Sequence, residues 1–217
     1  MRVRNWILAS GLILGLLWLG GCASTRTIKI FVPSSIVLKE YGTIGIIDFD
    51  SNADYTINKY ATQLFREYVQ KAQPGVPFLE LGTQREVLAN IGATQLNAQT
   101  IQKIGEVYHV DAVFIGDLIF SAVKTDFDIS QALHLKASMK TSMDATLTVR
   151  LELVRNGATV WSRSSSYART LSRLGIQKGS VSYSDNSADA QRKLLPDMID
   201  EVVCDFRGRY VKQRVPK

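Results

Sequence analysis

The sequence predicts an α/β (α+β) fold, a single mixed sheet with helices packed largely on one face, in the order β-α-β-α-α-β-β-β-α. Three features of the 217-residue chain predict it. Residues 41–49 and 111–121 are near-continuous apolar runs, which read as buried strands. Apolar residues between them recur at three- and four-residue spacing, the period of helices with one buried face. Residues 144–154 then alternate strictly, as a half-buried antiparallel strand does.

The elements follow in order. Residues 22–35 form a short tether in which Ile28, Ile30 and Val32 alternate as an edge strand would. The run 41–49 (YGTIGIIDF) is the first buried strand. Ser51 opens a helix with Asp54 three residues on, a variant of the capping box. Ala53, Ile57, Tyr60, Ala61, Leu64, Phe65 and Tyr68 form its apolar face, and Gln73-Pro74-Gly75 stops it. Residues 78–81 are a short strand. Thr83 and Glu86 form a capping box for a brief helix through Val87, Leu88 and Ile91. A further helix from Asn97 carries Ile101, Ile104 and Tyr108 on one side. The run 111–121 (DAVFIGDLIFS) is the second buried strand. Leu147, Val149, Leu151 and Leu153 then face one way, with Thr146, Thr148, Arg150 and Glu152 opposite. Asn156-Gly157 is a strong hairpin signal, with residues 159–170 as the returning strand. A last helix buries Leu195, Met198, Ile199, Val202 and Phe206. Residues 36–210 thus form one domain, and 211–217 a basic tail.

The first 21 residues stand apart. Arg2 and Arg4 are a short positive region, residues 6–18 an apolar stretch broken only by Ser10 and glycines, and Gly20 and Gly21 follow. That is the layout of an export signal, too short to span a membrane comfortably. Leu19-Gly20-Gly21-Cys22 resembles the lipobox of bacterial lipoproteins. The resemblance implies cleavage between Gly21 and Cys22, diacylglycerol on the Cys22 thiol and a further acyl chain such as palmitate. Ala23, rather than Asp, after the cysteine implies outer-membrane sorting, so residues 22–217 are expected to face the periplasm.

Charge and cysteine usage narrow the partners. The net charge of +6 is uneven: residues 155–217 carry twelve Lys and Arg against six Asp and Glu, residues 22–154 twelve against fourteen. Arg163, Arg169, Arg173, Lys178, Arg207 and Arg209 are therefore candidates for contact with an anionic lipid surface, a glycan polymer or an acidic protein. Nucleic acid does not suit an exported, anchored chain. With Cys22 committed to lipid, Cys204 has no intrachain partner. At 100° per residue it lies opposite Leu195, open to an intermolecular bridge or to burial against a neighbour. His109 and His134 are too far apart in sequence to suggest a metal site, and no cofactor is expected.

Several short motifs share one resemblance. Pro33 with Ile36-Val37-Leu38, the run 43–49 and Asp111-Ala-Val-Phe-Ile-Gly116 are similar to the opening strands of envelope lipoprotein domains grouped with the curli secretion lipoprotein. Fold relatives are the lipoprotein activator of penicillin-binding proteins and the N-terminal domain of the Tol-system β-propeller protein. Residues 148–154, Asn156-Gly157 and Val160-Trp161-Ser162 resemble the strand-turn-strand that follows in them. The resemblance covers most of residues 33–207 and implies a non-enzymatic factor that binds another envelope component, or a homo-oligomer. Its second implication is a ring-forming secretion channel, which needs residues 119–143 to insert as a hairpin. Lys124, Asp126, Asp128, His134, Lys136 and Lys140 interrupt that stretch, whereas a membrane strand needs a lipid-facing apolar residue at every second position, so a soluble hairpin is expected over 119–143.

A third reading is catalytic. Asp48-Phe49-Asp50 after a buried strand is similar to the DxD of haloacid-dehalogenase-type phosphatases, where a nucleophile and an acid/base flank Mg²⁺. The Gly-Thr that follows in that class is Ser51-Asn52 here. Gly116-Asp117 lacks its second Asp, with Ser121 in that place. Asp50 and Ser51 are instead expected to cap the first helix, and the chain is expected not to be an enzyme. Ser164, Ser165 and Ser166 have no neighbouring His in sequence to suggest a hydrolytic triad.

Overall fold

In the computed structural model, residues 25–122, 124–128, 138–175 and 187–216 are described. They fall into two units, the paired chain ends and residues 34–207. In the first, β1 (Thr25–Val32) pairs antiparallel with β9 (Arg209–Pro216) as a two-stranded ribbon. The alternation at Ile28, Ile30 and Val32 thus finds its partner at the other end of the chain.

In the larger unit, β2 (Ile44–Ile47) leads through the two-residue β3 (Asp50–Ser51) into α1 (Tyr55–Ala72). Then come β4 (Phe78–Gly82), α2 (Gln84–Asn90), α3 (Ala98–Tyr108) and β5 (Ala112–Phe120). The meander is β6 (Lys124–Asp128), β7 (Ser138–Leu153) and β8 (Ala158–Gly175), and α4 (Ser187–Val203) packs last. β2 lies between β4 and β5 and parallel to both, while β7 is antiparallel to β5 and β8. β5 and β6 follow one another along the same edge of β7, from Ala112↔Leu153 to Asp128↔Ser138. The fold is therefore α+β on one mixed sheet.

Alternation along β5 separates the two faces. Ala112, Phe114, Leu118 and Phe120 enter the main core with Ile57, Phe65 and Val69 of α1 and Leu195, Met198 and Ile199 of α4. The two long helices thus share one face. Val113 and Ile115 point the other way, where α2 and α3 supply Val87, Ile101 and Ile104. Phe114 is the centre of the main core, with the rings of Phe65, Phe78, Trp161 and Phe206 at 5.1–6.3 Å. Leu147, Val149, Leu151 and Leu153 are buried, matching the alternation read from sequence.

Two local expectations change. α1 is capped by Asp54, whose Oδ1 accepts from the Thr56 N–H at 2.7 Å, not by Asp50 or Ser51. The reason is β3: Ser51 pairs with Leu118, so the backbone stays extended past it, and its Oγ accepts from the Ala53 N–H instead. The Asn156-Gly157 hairpin is also looser than a two-residue turn. Residues 154–157 form the loop, and the Gly157 N–H reaches back to the Leu153 carbonyl at 2.8 Å. Gly157 alone in that loop takes a left-handed φ, of 65°, and an added Cβ would lie 2.7 Å from the Ala98 carbonyl oxygen. The expected capping box of Thr83 with Glu86 forms, and a second that was not expected, Asn97 with Thr100, opens α3.

Candidate functional site

The parallel strands β2 and β4 end together, and in open α/β sheets ligand crevices form at the carboxyl ends of such strands. Asp48 follows β2, held by its N–H to the Gly82 carbonyl at 2.8 Å. Thr83 follows β4 and caps α2, and Tyr55 opens α1. Between them lies an open cleft of about 680 Å³, lined by Asp48, Asp50, Tyr55, Asn58, Arg85 and Glu86 among others. Tyr55 Oη donates to Asp48 Oδ2 at 3.4 Å. Burial lifts the Asp48 carboxyl above its usual range; the Tyr55 hydrogen bond and Lys59 oppose this, while Glu80 and Glu86 add to it. The cleft therefore presents polar groups of both charge signs around a carboxyl whose ionised form burial disfavours.

The DxD pair divides between two environments. Asp48 bonds to Tyr55, whereas exposed Asp50 sits level with Asp117 in the β3–β5 ladder, its Oδ1 accepting from the Ser51 N–H at 3.1 Å. Asp117 approaches Arg150 at 3.7 Å. Ser121, at the position of the missing acid, bonds to the Asp144 N–H. Among the described residues no three His, Cys, Asp or Glu side chains converge as metal ligands.

The basic residues picked out in sequence separate into several settings. Arg163 and Arg169 share the parity of β8 that faces α4. Arg163 Nη1 donates to Asp205 Oδ1 at 2.8 Å, with Trp161 Nε1 donating to the other carboxylate oxygen at 3.2 Å. Arg169 Nη1 donates to the Lys193 carbonyl at 3.2 Å. Arg207 pairs with Asp200 at 2.7 Å and lies 5.8 Å from the Tyr68 ring centre. Arg173 is on β8, level with Lys140 of β7. Arg209 belongs to the ribbon. Cys22 and Lys178 lie outside the described residues. Cys204 is exposed in the turn after α4, and burial, opposed by the Arg163 charge, leaves its thiol above its usual pKa. His109 ends α3 in a left-handed conformation with φ 56°.

Three groupings escaped the sequence reading: the Tyr55–Asp48 contact, the Asp205–Trp161–Arg163 node, and the pairing of Lys29 with Lys212. Each joins segments whose registry no local pattern encodes.

No protein-family model matches the chain, and no curated protein does. Matches to solved structures exist at low identity and low TM-score. The PelC dodecamer from Paraburkholderia phytofirmans is 10% identical over 85% of this chain and 99% of its own, with TM-score 0.41. Lipoprotein GNA1162 from Neisseria meningitidis is 16% identical over 74% of this chain and 97% of its own, at 0.35. The LpoB C-terminal domain from Salmonella enterica is 11% identical over 72% and 93%, at 0.37.

Proposed function

We propose that this chain is a lipoprotein of the bacterial envelope, cut between Gly21 and Cys22 and held by lipid on Cys22, whose domain binds another envelope component without catalysing a reaction. The observation that carries the reading is Leu19-Gly20-Gly21-Cys22 directly after a basic and then apolar leader. One acyl chain anchors only marginally and two or more do so durably, so the acylation expected at Cys22 is enough to hold the protein. Only Ala23 and Ser24 separate that cysteine from β1. The outer membrane, with the domain facing the periplasm, is the location in this reading, and assembly, cell-wall synthesis or secretion is the task.

The deciding experiment is the intact mass of the protein extracted from membranes in mild detergent, with Cys22→Ser beside it. The reading expects diacylglycerol and acyl mass on a chain beginning at Cys22, and loss of both in the variant. An unmodified chain retaining residues 1–21 would refute it. Photo-crosslinkers at Tyr55 and Arg169, in cells, then identify what the domain holds. Mass photometry of the same extract separates a tethered adaptor from a ring-forming channel. Hydrolysis of phosphoesters with Mg²⁺, lost in Asp48→Asn, would replace both with the phosphatase reading.

A further inference from the structure

The ribbon of β1 and β9 holds an unusual charge pattern. Neither strand contains an acidic residue, and together they carry Arg26, Lys29, Arg209, Lys212 and Arg214. Opposite residues of an antiparallel pair share a face, and so do residues two apart on one strand. One face therefore reads, pair by pair, Thr27 with Arg214, Lys29 with Lys212 and Phe31 with Tyr210. The other reads Arg26 with Val215, Ile28 with Gln213, Ile30 with Val211 and Val32 with Arg209. Like charges directly opposite one another destabilise a strand pair, and a two-stranded ribbon has little stability to spare. Lys29 against Lys212 is such a pair, with Arg214 one row away and no carboxylate in either strand.

An anion placed between the two ammonium groups would relieve that repulsion. A shallow cavity of about 370 Å³ opens beside the pair, lined by Lys29, Lys212 and Tyr210. Next to the cations, the Phe31 and Tyr210 rings lie 5.3 Å apart, 55% and 72% exposed. Aromatic rings beside cations suit a membrane–water interface, where ring bodies meet acyl chains and ammonium groups meet phosphates. From the Arg214 row to the aromatic row the face spans about 14 Å, enough for more than one headgroup.

We infer that the Lys29/Lys212/Arg214 face of the ribbon, with Phe31 and Tyr210, is a contact surface for anionic phospholipid headgroups of the leaflet that holds the Cys22 lipid. The placement rests on the proposed anchor: Ala23 and Ser24 let β1 begin no more than about 10 Å from the acylated cysteine. The tether starts the ribbon within reach of the headgroup layer, and a ribbon lying along the membrane brings the Arg214, Lys212 and aromatic rows to it together. The ribbon is then a second, electrostatic attachment beside the acyl chains.

The test uses residues 22–217 with Cys22→Ser, so no acyl chain contributes and the outcome does not depend on acylation. Co-sedimentation is measured with phosphatidylcholine vesicles, with and without a third of phosphatidylglycerol. Binding to the anionic vesicles alone is expected, weakening steeply with added salt. Each of the three cations supplies about a five-fold gain near such a surface, together about 100-fold. Lys29→Glu turns the repulsive pair into an attractive one, so the ribbon persists while anionic-vesicle affinity falls at least ten-fold. Crosslinking of a Thr27→Cys, Arg214→Cys pair, in chain also carrying Cys204→Ser, reports that the ribbon remains paired. Equal binding to both vesicle types, or a Lys29→Glu chain that binds anionic vesicles as well as its parent, would overturn the inference. Failure of the anchor would show separately, as missing lipid mass on the cellular protein.

Discussion

Asp205→Ala separates a stabilising node from a partner-binding surface. The Asp205 carboxylate accepts from Trp161 Nε1 at 3.2 Å and from Arg163 Nη1 at 2.8 Å, tying the turn after α4 to β8. The bond from the uncharged indole to the carboxylate contributes about 1 kcal/mol net, and the ion pair with Arg163, both side chains about a third exposed, about 1–2 kcal/mol. Removing both costs about 2–3 kcal/mol, or a melting temperature lower by about 4–12 °C in a domain of this size. Burial raises the Asp205 carboxyl, but the hydrogen bonds from Trp161 and Arg163 outweigh it and hold the group below its usual pKa. A depressed folded-state pKa stabilises above the unfolded value, about 3.9, and that contribution fades as pH falls through the folded value. The gap between parent and Asp205→Ala should therefore be full at neutral pH and shrink below about pH 4. Circular dichroism melts, with Trp fluorescence as a second probe, measure it. Asp205→Asn, which keeps an acceptor but no charge, should fall between. A neutral-pH gap under about 0.5 kcal/mol, or one that does not change in acid, would refute the node. Arg163→Ala should destabilise in the same way and non-additively with Asp205→Ala, because the two share one bond.

Gly116→Ala should destabilise by about 1–3 kcal/mol, since the new Cβ would stand 2.5 Å from Phe49 Cγ and Cε1, and that ring is braced on Phe65 at 5.2 Å. Phe49→Leu should lessen the penalty, and an identical loss in both backgrounds would discredit the clash. Thr83→Ala should cost about 1 kcal/mol by opening the capping box of α2, measured by denaturant titration, and no change would deny the cap its role. Asp48→Asn should raise the melting temperature at neutral pH. A carboxyl lifted by burial stabilises below its unfolded pKa and loses that contribution as pH rises through its folded value, so the amide removes a neutral-pH cost. A lower melting temperature for Asp48→Asn would mean that the ionised carboxylate is favourable there.

What was legible in the sequence is what repeats along it. Ile57, Ala61 and Phe65 announce the buried face of α1 by their spacing, and Leu147 to Leu153 that of β7 by alternation. The Asp54 cap was misplaced to Ser51 because two residues of pairing with β5, which no local pattern signals, keep the chain extended. Residues 138–142 pair with β6 as the expected hairpin over 119–143 requires, but their lack of clean alternation hid that the same strand runs unbroken into 144–154. The candidate surfaces were least legible, for a physical reason. Counting charge along the last third of the chain treats Arg163, Arg169 and Arg207 as one patch, yet each finds an acceptor in α4 or the turn after it. Lys29 and Lys212 are remote in sequence and ordinary in isolation, and only the β1–β9 register sets them opposite one another, with no carboxylate in either strand. Asp48 likewise gains its neighbours Tyr55 and Glu86 from the first turns of two different helices. Period reports which face is buried; the chemistry of a surface depends on which segments meet. An unbalanced charge that survives that meeting is therefore better evidence for an external partner than any local excess of one sign.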